Sequence, residues 1–336
     1  MSVVLDDTGL WRDVTELPST LSATLDRRAE RSEVAALIGG DDVRRIVASG
    51  NGAAYYVAVA LWLASLDGKA GPEVVAVPSG LLARGGFAWR PGDVFLAVSS
   101  SGEFRDLVEA VDGGAPTPYV AVTAKADSTL GSRAGARALV SVPNQRAVTH
   151  TQAFCGAVAA ALALWAELTG DRQLDVALGR LPGELERAIA DARAWVDGMS
   201  VTDAGTAVVF GGCPAWAGAL EAALLLKEVS GIPAEGVETR EGATSAMMAL
   251  GPGALALSLA GAAEDPLLAE AEEICAAQGA IVMRTPPPDT ADRRLAAVST
   301  FPAATALAAR LGIERGLDVD RPAWTDAYYR VARRAG

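Results

Sequence analysis

Apolar residues recur along the chain in two alternating patterns. Short runs at residues 45–48 ("RIVA"), 74–77 ("VVAV"), 94–98 ("VFLAV"), 119–122 ("YVAV") and 138–142 ("ALVSV") are β-branched or continuously apolar, as buried strands are. Between them lie stretches of helical periodicity, the longest an Ala-rich segment over 151–167. Strands separated by helices predict a parallel sheet covered on both faces. Residues 170–198 are charged, amphipathic and strand-free, and so read as a helical connector. The alternation then resumes, with strands over 206–210, 254–259 and 280–284 and helices over 216–229, 266–278 and 301–315. The pattern predicts an α/β protein with two doubly wound parallel-sheet domains. A helical segment at 1–43 precedes a first domain at 44–169, and a connector at 170–200 leads to a second domain with a C-terminal tail at 201–336.

The two halves resemble each other. "VASGNGAAYYVAVAL" from Val47 and "VVFGGCPAWAGALEAAL" from Val208 superpose with Gly50 over Gly211, each a strand, a glycine turn and an Ala-rich helix. Such a repeat is what a duplicated nucleotide- or sugar-binding unit looks like. The first turn lacks the third glycine of G-x-G-x-x-G, which argues against a dinucleotide. A second stretch, "VSSSGEFRD" at 98–106, places three hydroxyls and a glycine between a strand and a helix. Free N–H groups and hydroxyls converging there would make an anion cradle, and a plain Ser-rich capping turn would have the same composition.

Composition narrows the chemistry. The 336 residues are 51% hydrophobic and 21% charged, enough to bury a large core. A net charge of −12, with no basic cluster, opposes nucleic acid and anionic membrane surfaces as partners. Cys155, Cys213 and Cys275 are widely spaced and odd in number, which points away from disulfides and zinc and toward a reducing cytoplasm. His150 is the single histidine, so no multi-histidine metal centre is expected. The acidic start does not read as a signal peptide, and no membrane span is expected.

Five motifs in order, "SGNGAAYY", "RPGDVFLAVSSSGEFRDLVEA", "VTAKADSTLGSRAGARALVSVPNQRAVTHTQAF", "ALEAALLLKEVSGIPAEGVETREGATSAMMAL" and "RGLDVDRP", resemble the double sugar isomerase (SIS) domain family. The likeness runs over nearly the whole chain and is nearest the amino-sugar phosphate branch of synthases, deglycases and deaminases. It implies flavodoxin-like SIS domains, a sugar or sugar phosphate as the small-molecule partner, a homodimer and no cofactor. It implies that Ser99, Ser100, Ser101 and Gly102 hold a phosphate. It also implies that Glu228 moves a proton between C1 and C2, which needs one carboxylate able to accept and return a proton on one face of an enediol or enaminol. Further ligand contacts are implied at Gly52, Ala54, Phe104, Thr149, Thr151 and Glu241.

The departures from the family pattern fall on the ligand. Phe104 stands where a threonine is usual and Ala54 where a serine is, and "SEF" becomes Ser79–Gly80–Leu81. The lysine upstream of the glutamate is Leu225, the ring-opening histidine is Thr244, and the tail lysine is Ala327. His150, at the entry to the long Ala-rich helix, offers a replacement acid or base, held neutral by the helix N-terminus. Arg105 would add a charged contact if it turned toward the loop, and otherwise reads as solvated. Three readings follow. One is aldose–ketose isomerisation or deamination/deglycation of an amino or keto sugar phosphate with Glu228 as base; another is a catalytically silent sugar-phosphate-binding or regulatory protein; the third is an unphosphorylated or bulkier substrate accommodated by Phe104, Ala54 and Gly80.

Overall fold

The computed structural model describes residues 4–68, 70–199, 204–259, 266–290 and 292–332. Its strands are β1 (Arg45–Ser49), β2 (Glu73–Ala76), β3 (Asp93–Val98), β4 (Val120–Thr123), β5 (Ala136–Leu139), β6 (Thr206–Gly211), β7 (Ala234–Glu238), β8 (Ala254–Ser258) and β9 (Ile281–Arg284). The α-helices are α1 (Gly9–Thr15), α2 (Leu17–Leu25), α3 (Arg28–Ile38), α4 (Ala53–Ser65), α5 (Ser79–Ala83), α6 (Arg105–Asp112), α7 (Thr129–Arg133), α8 (Thr151–Thr169), α9 (Arg172–Asp197), α10 (Trp216–Ser230), α11 (Thr239–Thr244), α12 (Pro266–Ala277), α13 (Ala296–Ser299), α14 (Phe301–Glu314) and α15 (Thr325–Ala332).

All pairings are parallel, in a five-stranded sheet of order β2-β1-β3-β4-β5 and a four-stranded sheet of order β7-β6-β8-β9. Every residue of β1 and β3 is buried, which is why these strands read as continuous apolar runs instead of alternating ones. Two strands differ from expectation. β5 lies two to three residues earlier than the apolar run at 138–142 suggests. Its ladder with β4 closes at Leu139, although the Val140 N–H still reaches the Thr123 carbonyl at 2.9 Å before Pro143. β7 was not foreseen: "AEGVE" has two acids and a glycine, and as a half-exposed edge strand it needs no apolar run.

By contacts the chain forms two compact units. One gathers Ser19–Pro143, Gln152–Gly179 and Trp324–Gly336 and holds the five-stranded sheet. We call it the serine-loop unit. The other gathers Met1–Pro18, Asn144–Thr151 and Arg180–Ala323 and holds the four-stranded sheet; we call it the glutamate unit. Unit boundaries therefore fall within α2 and α9 and at the start of α8, so neither unit is one continuous stretch of sequence.

Two stretches, Thr151–Thr169 and Arg293–Glu314, are long and apolar enough to cross a membrane by length and composition alone. Each has 89% of its apolar window buried in the protein, as core helices do. In the glutamate unit α10 packs on β6, β7, α13 and α14 and is apolar on nearly every face. It ends at Gly231, whose φ of 65° only glycine adopts without strain and whose N–H closes on the Leu226 carbonyl.

Candidate functional site

In the serine-loop unit the chain leaves β1 toward β2 on one side, and β3 toward β4 on the other. Open α/β sheets bind ligands at such a switch point, in the crevice outside the carboxyl ends of the two strands. Ser49 of β1 lies in register with Ala97 of β3, so the turn at 50–52 and the loop at 99–102 are neighbours there. The predicted residues Gly52, Ala54, Ser99, Ser100, Ser101 and Gly102 are thus brought to one end of one sheet.

Hydrogen bonding inside the loop prepares it for an anion. The Ser99 hydroxyl accepts from the Gly102 N–H at 3.1 Å and the Ser101 hydroxyl accepts from the Glu103 N–H at 3.2 Å. A hydroxyl whose lone pair is engaged keeps its own proton to donate outward. The Ser100 carbonyl is tied to β4 by the Ala124 N–H at 3.1 Å and the Thr123 hydroxyl at 3.2 Å. The Glu103 carboxylate is turned onto α7, where it accepts from the Thr129 N–H and hydroxyl, both at 2.7 Å. That acid neutralises a helix N-terminus and leaves the loop to its neutral donors. Gly102 has φ 66°, and a Cβ there would lie 1.9 Å from Ser128 Oγ.

Phe104 and Tyr55 are accommodated differently. Phe104, at the N-cap of α6, is partly buried against the core cluster that includes Val77, Leu82, Phe95 and Leu107. Tyr55, in the first turn of α4, is half-buried, and burial pushes its phenol up. Ser79 is buried with its hydroxyl 3.4 Å from Asp106, and Arg105 lies exposed beside the same acid at 3.9 Å.

The glutamate unit carries Glu228, Glu241, Thr149, His150 and Thr151. The segment bearing the last three is pinned from two sides. Asp13 of α1, fully buried, accepts from the N–H groups of Arg146 and Ala147 at 2.8 and 2.9 Å and from the Arg146 guanidinium at 2.9 Å. Burial raises the Asp13 carboxyl, while these donors and the positive charge of Arg146 pull it back. The Asp320 carbonyl accepts from the Val148 N–H at 2.8 Å, and the Asp320 carboxylate caps α1 through Gly9 and Leu10 at 2.8 and 2.7 Å. Gln145 reaches the Ala147 carbonyl at 3.1 Å and His150 Nδ1 at 3.3 Å, which fixes the imidazole at the entry to α8. The hydroxyls of Thr149 and Thr151 are buried, and neither finds a hydrogen-bond partner within the fold.

Glu228 is half-buried near the end of α10, and burial pushes its carboxyl up to about 7 against the opposing pull of Lys227. A carboxylate with that affinity suits reversible proton transfer near neutrality. Glu241 is exposed on α11 and accepts from the Ser245 hydroxyl at 2.8 Å; Thr244 is exposed and bonded to its own helix. Leu225 is fully buried, so this position belongs to the core. Sequence reasoning missed Asp13, Arg146 and Asp320, which lie over a hundred residues from some of the groups they hold. It also missed Glu221, a buried acid that reads as any other on an Ala-rich helix.

Two parallel α/β sheets, with a serine-rich loop at the switch point of the first, match the SIS-type, flavodoxin-like fold. No family model matches the chain. It is 25% identical, over 313 aligned residues, to the isomerizing glutamine–fructose-6-phosphate aminotransferase of Thermosynechococcus vestitus, covering 78% of this chain and 49% of that relative. The chain thus spans about half the length of the curated relative it matches. A candidate phosphosugar isomerase from Silicibacter pomeroyi superposes with TM-score 0.75 and 25% identity over 93% of this chain and 100% of its own. Glucosamine-6-phosphate deaminase from Thermotoga maritima superposes with TM-score 0.76 and 17% identity, over 94% and 98%.

Proposed function

We propose that the protein binds an amino or keto sugar phosphate and catalyses its aldose–ketose isomerisation or deamination, with Glu228 as the base. The observation that carries the reading is the loop at 99–102, where two of the three hydroxyls, those of Ser99 and Ser101, are satisfied as acceptors and keep their protons to donate at the switch point of a parallel sheet. Proton transfer between C1 and C2 needs a carboxylate poised near neutrality, and burial pushes the Glu228 carboxyl up to about 7. The names of the similar proteins, all concerned with sugar phosphates, support the same class.

A second reading, a sugar-phosphate binder without turnover, is favoured by one observation: Leu225 is sealed in the core and Thr244 points no titratable group anywhere. Heavy water separates the two. A panel of sugar phosphates and amino-sugar phosphates is incubated with the protein in deuterium oxide, and C2 is followed by NMR. The enzyme reading expects deuterium uptake that rises with pH through about 7, as Glu228 ionises, and disappears in Glu228→Gln. Saturable binding without exchange at any pH would establish the silent binder.

A further inference from the structure

Glu221 and Glu228 lie seven residues apart on α10, two turns along one face, with Leu225 between them at the i+4 position. Glu221 is 3% exposed and Leu225 fully buried, so this stripe faces the interior of the glutamate unit. One carboxylate oxygen of Glu221 has no hydrogen-bond partner. An ionised carboxylate left so would be among the costliest groups a protein can bury. A protonated one would cost far less.

Among the described residues packed on α10 no cation acts on Glu221; Arg315, at the end of α14, donates instead to the Ser230 carbonyl at the last residue of α10, at 3.2 Å. Of the elements packed on α10, β6 and α13 carry no charged side chain and β7 carries Glu235 and Glu238. Glu235 is exposed, and Glu238 caps its own α11 through the N–H groups of Arg240 and Glu241. α14 carries Arg310 and Glu314, which pair with each other at 2.7 Å on the exposed side. On α10 itself Lys227 is exposed and acts on Glu228. For Glu221 the one charge that counts is Glu228, and it repels: burial first, and that repulsion second, push the Glu221 carboxyl well up.

We propose that Glu221 and Glu228 work as one unit carrying a single negative charge, with the proton resident on Glu221 and the charge on Glu228. Glu221 is then a positioning residue: by staying neutral it confines the negative charge of this helix face to the group that meets substrate. The coupling is reciprocal, because a proton arriving at Glu228 removes the repulsion and loosens the hold of Glu221 on its own. The base role of Glu228 rests on the reading above, whereas the pairing does not.

The test is a titration of the substrate-free protein carrying ¹³C-labelled glutamate carboxyls, with signals assigned from Glu221→Gln and Glu228→Gln. The expected result is a Glu221 signal that stays at its protonated position through neutral pH and a Glu228 signal with its midpoint near 7. Glu228→Gln should lower the Glu221 midpoint, and Glu221→Gln, a neutral isostere, should leave the Glu228 midpoint in place. A Glu221 signal already ionised at pH 7, or one indifferent to Glu228→Gln, overturns the pairing. Thermal stability gives an independent check. A carboxyl held protonated in the folded state destabilises progressively as pH rises above the unfolded carboxyl range, so the Tm of Glu221→Gln relative to the unmutated protein should climb with pH. A flat difference would count against the proposal. Neither measurement involves turnover, so failure of Glu228 as a base would show only in deuterium exchange.

Discussion

Replacing Gly102 by alanine tests whether the serine loop is a built cradle. The backbone there has φ 66°, which costs an L-residue about 1–2 kcal/mol. The new Cβ would also stand 1.9 Å from Ser128 Oγ and 2.5 Å from Ser128 Cβ. Ser128 is not free to retreat, since it donates to the Lys125 carbonyl at 2.7 Å and accepts from the Gly131 N–H at 3.1 Å, capping α7. Displacing it forfeits a cap of about 1 kcal/mol, and overpacking adds about 1–3 kcal/mol. The sum is about 3–6 kcal/mol, read from urea midpoints, together with a loss of affinity for sugar phosphate in calorimetry. Gly114→Ala is the control: its φ is 102° but nothing lies within 4 Å of its Cβ, so it carries strain without a clash. Equal stability of the two variants would refute the packing argument, and unchanged ligand affinity in Gly102→Ala would refute the cradle.

Two further outcomes are expected. Alanine at both Ser99 and Ser101 should weaken binding of a phosphorylated sugar by about 1–3 kcal/mol while leaving the unphosphorylated sugar unaffected, as calorimetry with both ligands would reveal; equal losses for the two would place the phosphate elsewhere. His150→Gln should slow turnover by about 10²–10⁴ with ligand affinity kept, if the imidazole opens the sugar ring; wild-type turnover and an unchanged pH profile would make it a residue that only orders the loop through Gln145.

Most of the sheet framework was legible because parallel strands are buried on both faces and announce themselves as apolar runs; β1, β3, β4 and β8 are examples. β7 was not, because an edge strand carrying Glu235, Gly236 and Glu238 leaves no such trace. The serine loop was readable for a local reason: it sits between a buried strand and a helix. What lay beyond local reading were pairings between distant positions. Asp13 holds Arg146 and Ala147 across more than a hundred residues, and no period or spacing links them. Phe104 shows the opposite case. Seen beside a ligand loop it reads as ligand-facing, and its partial burial against the core cluster holding Phe95 and Leu107 has no trace in the sequence.

The anchoring of the His150 segment by Asp13 bears on how the polypeptide can be cut or fused. A short helix near residue 10 looks dispensable in a sequence, something to trim for expression or replace with a tag. Here its carboxylate receives two main-chain N–H groups and a guanidinium from the segment that leads to His150 and α8. Shortening the chain past Asp13 would leave the two main-chain N–H groups without that acceptor and the guanidinium with only Glu16 and the Asn144 carbonyl. A library of truncations would therefore misassign the loss: activity would fall with residues that never touch a ligand, and the first helix would be scored as part of the chemistry.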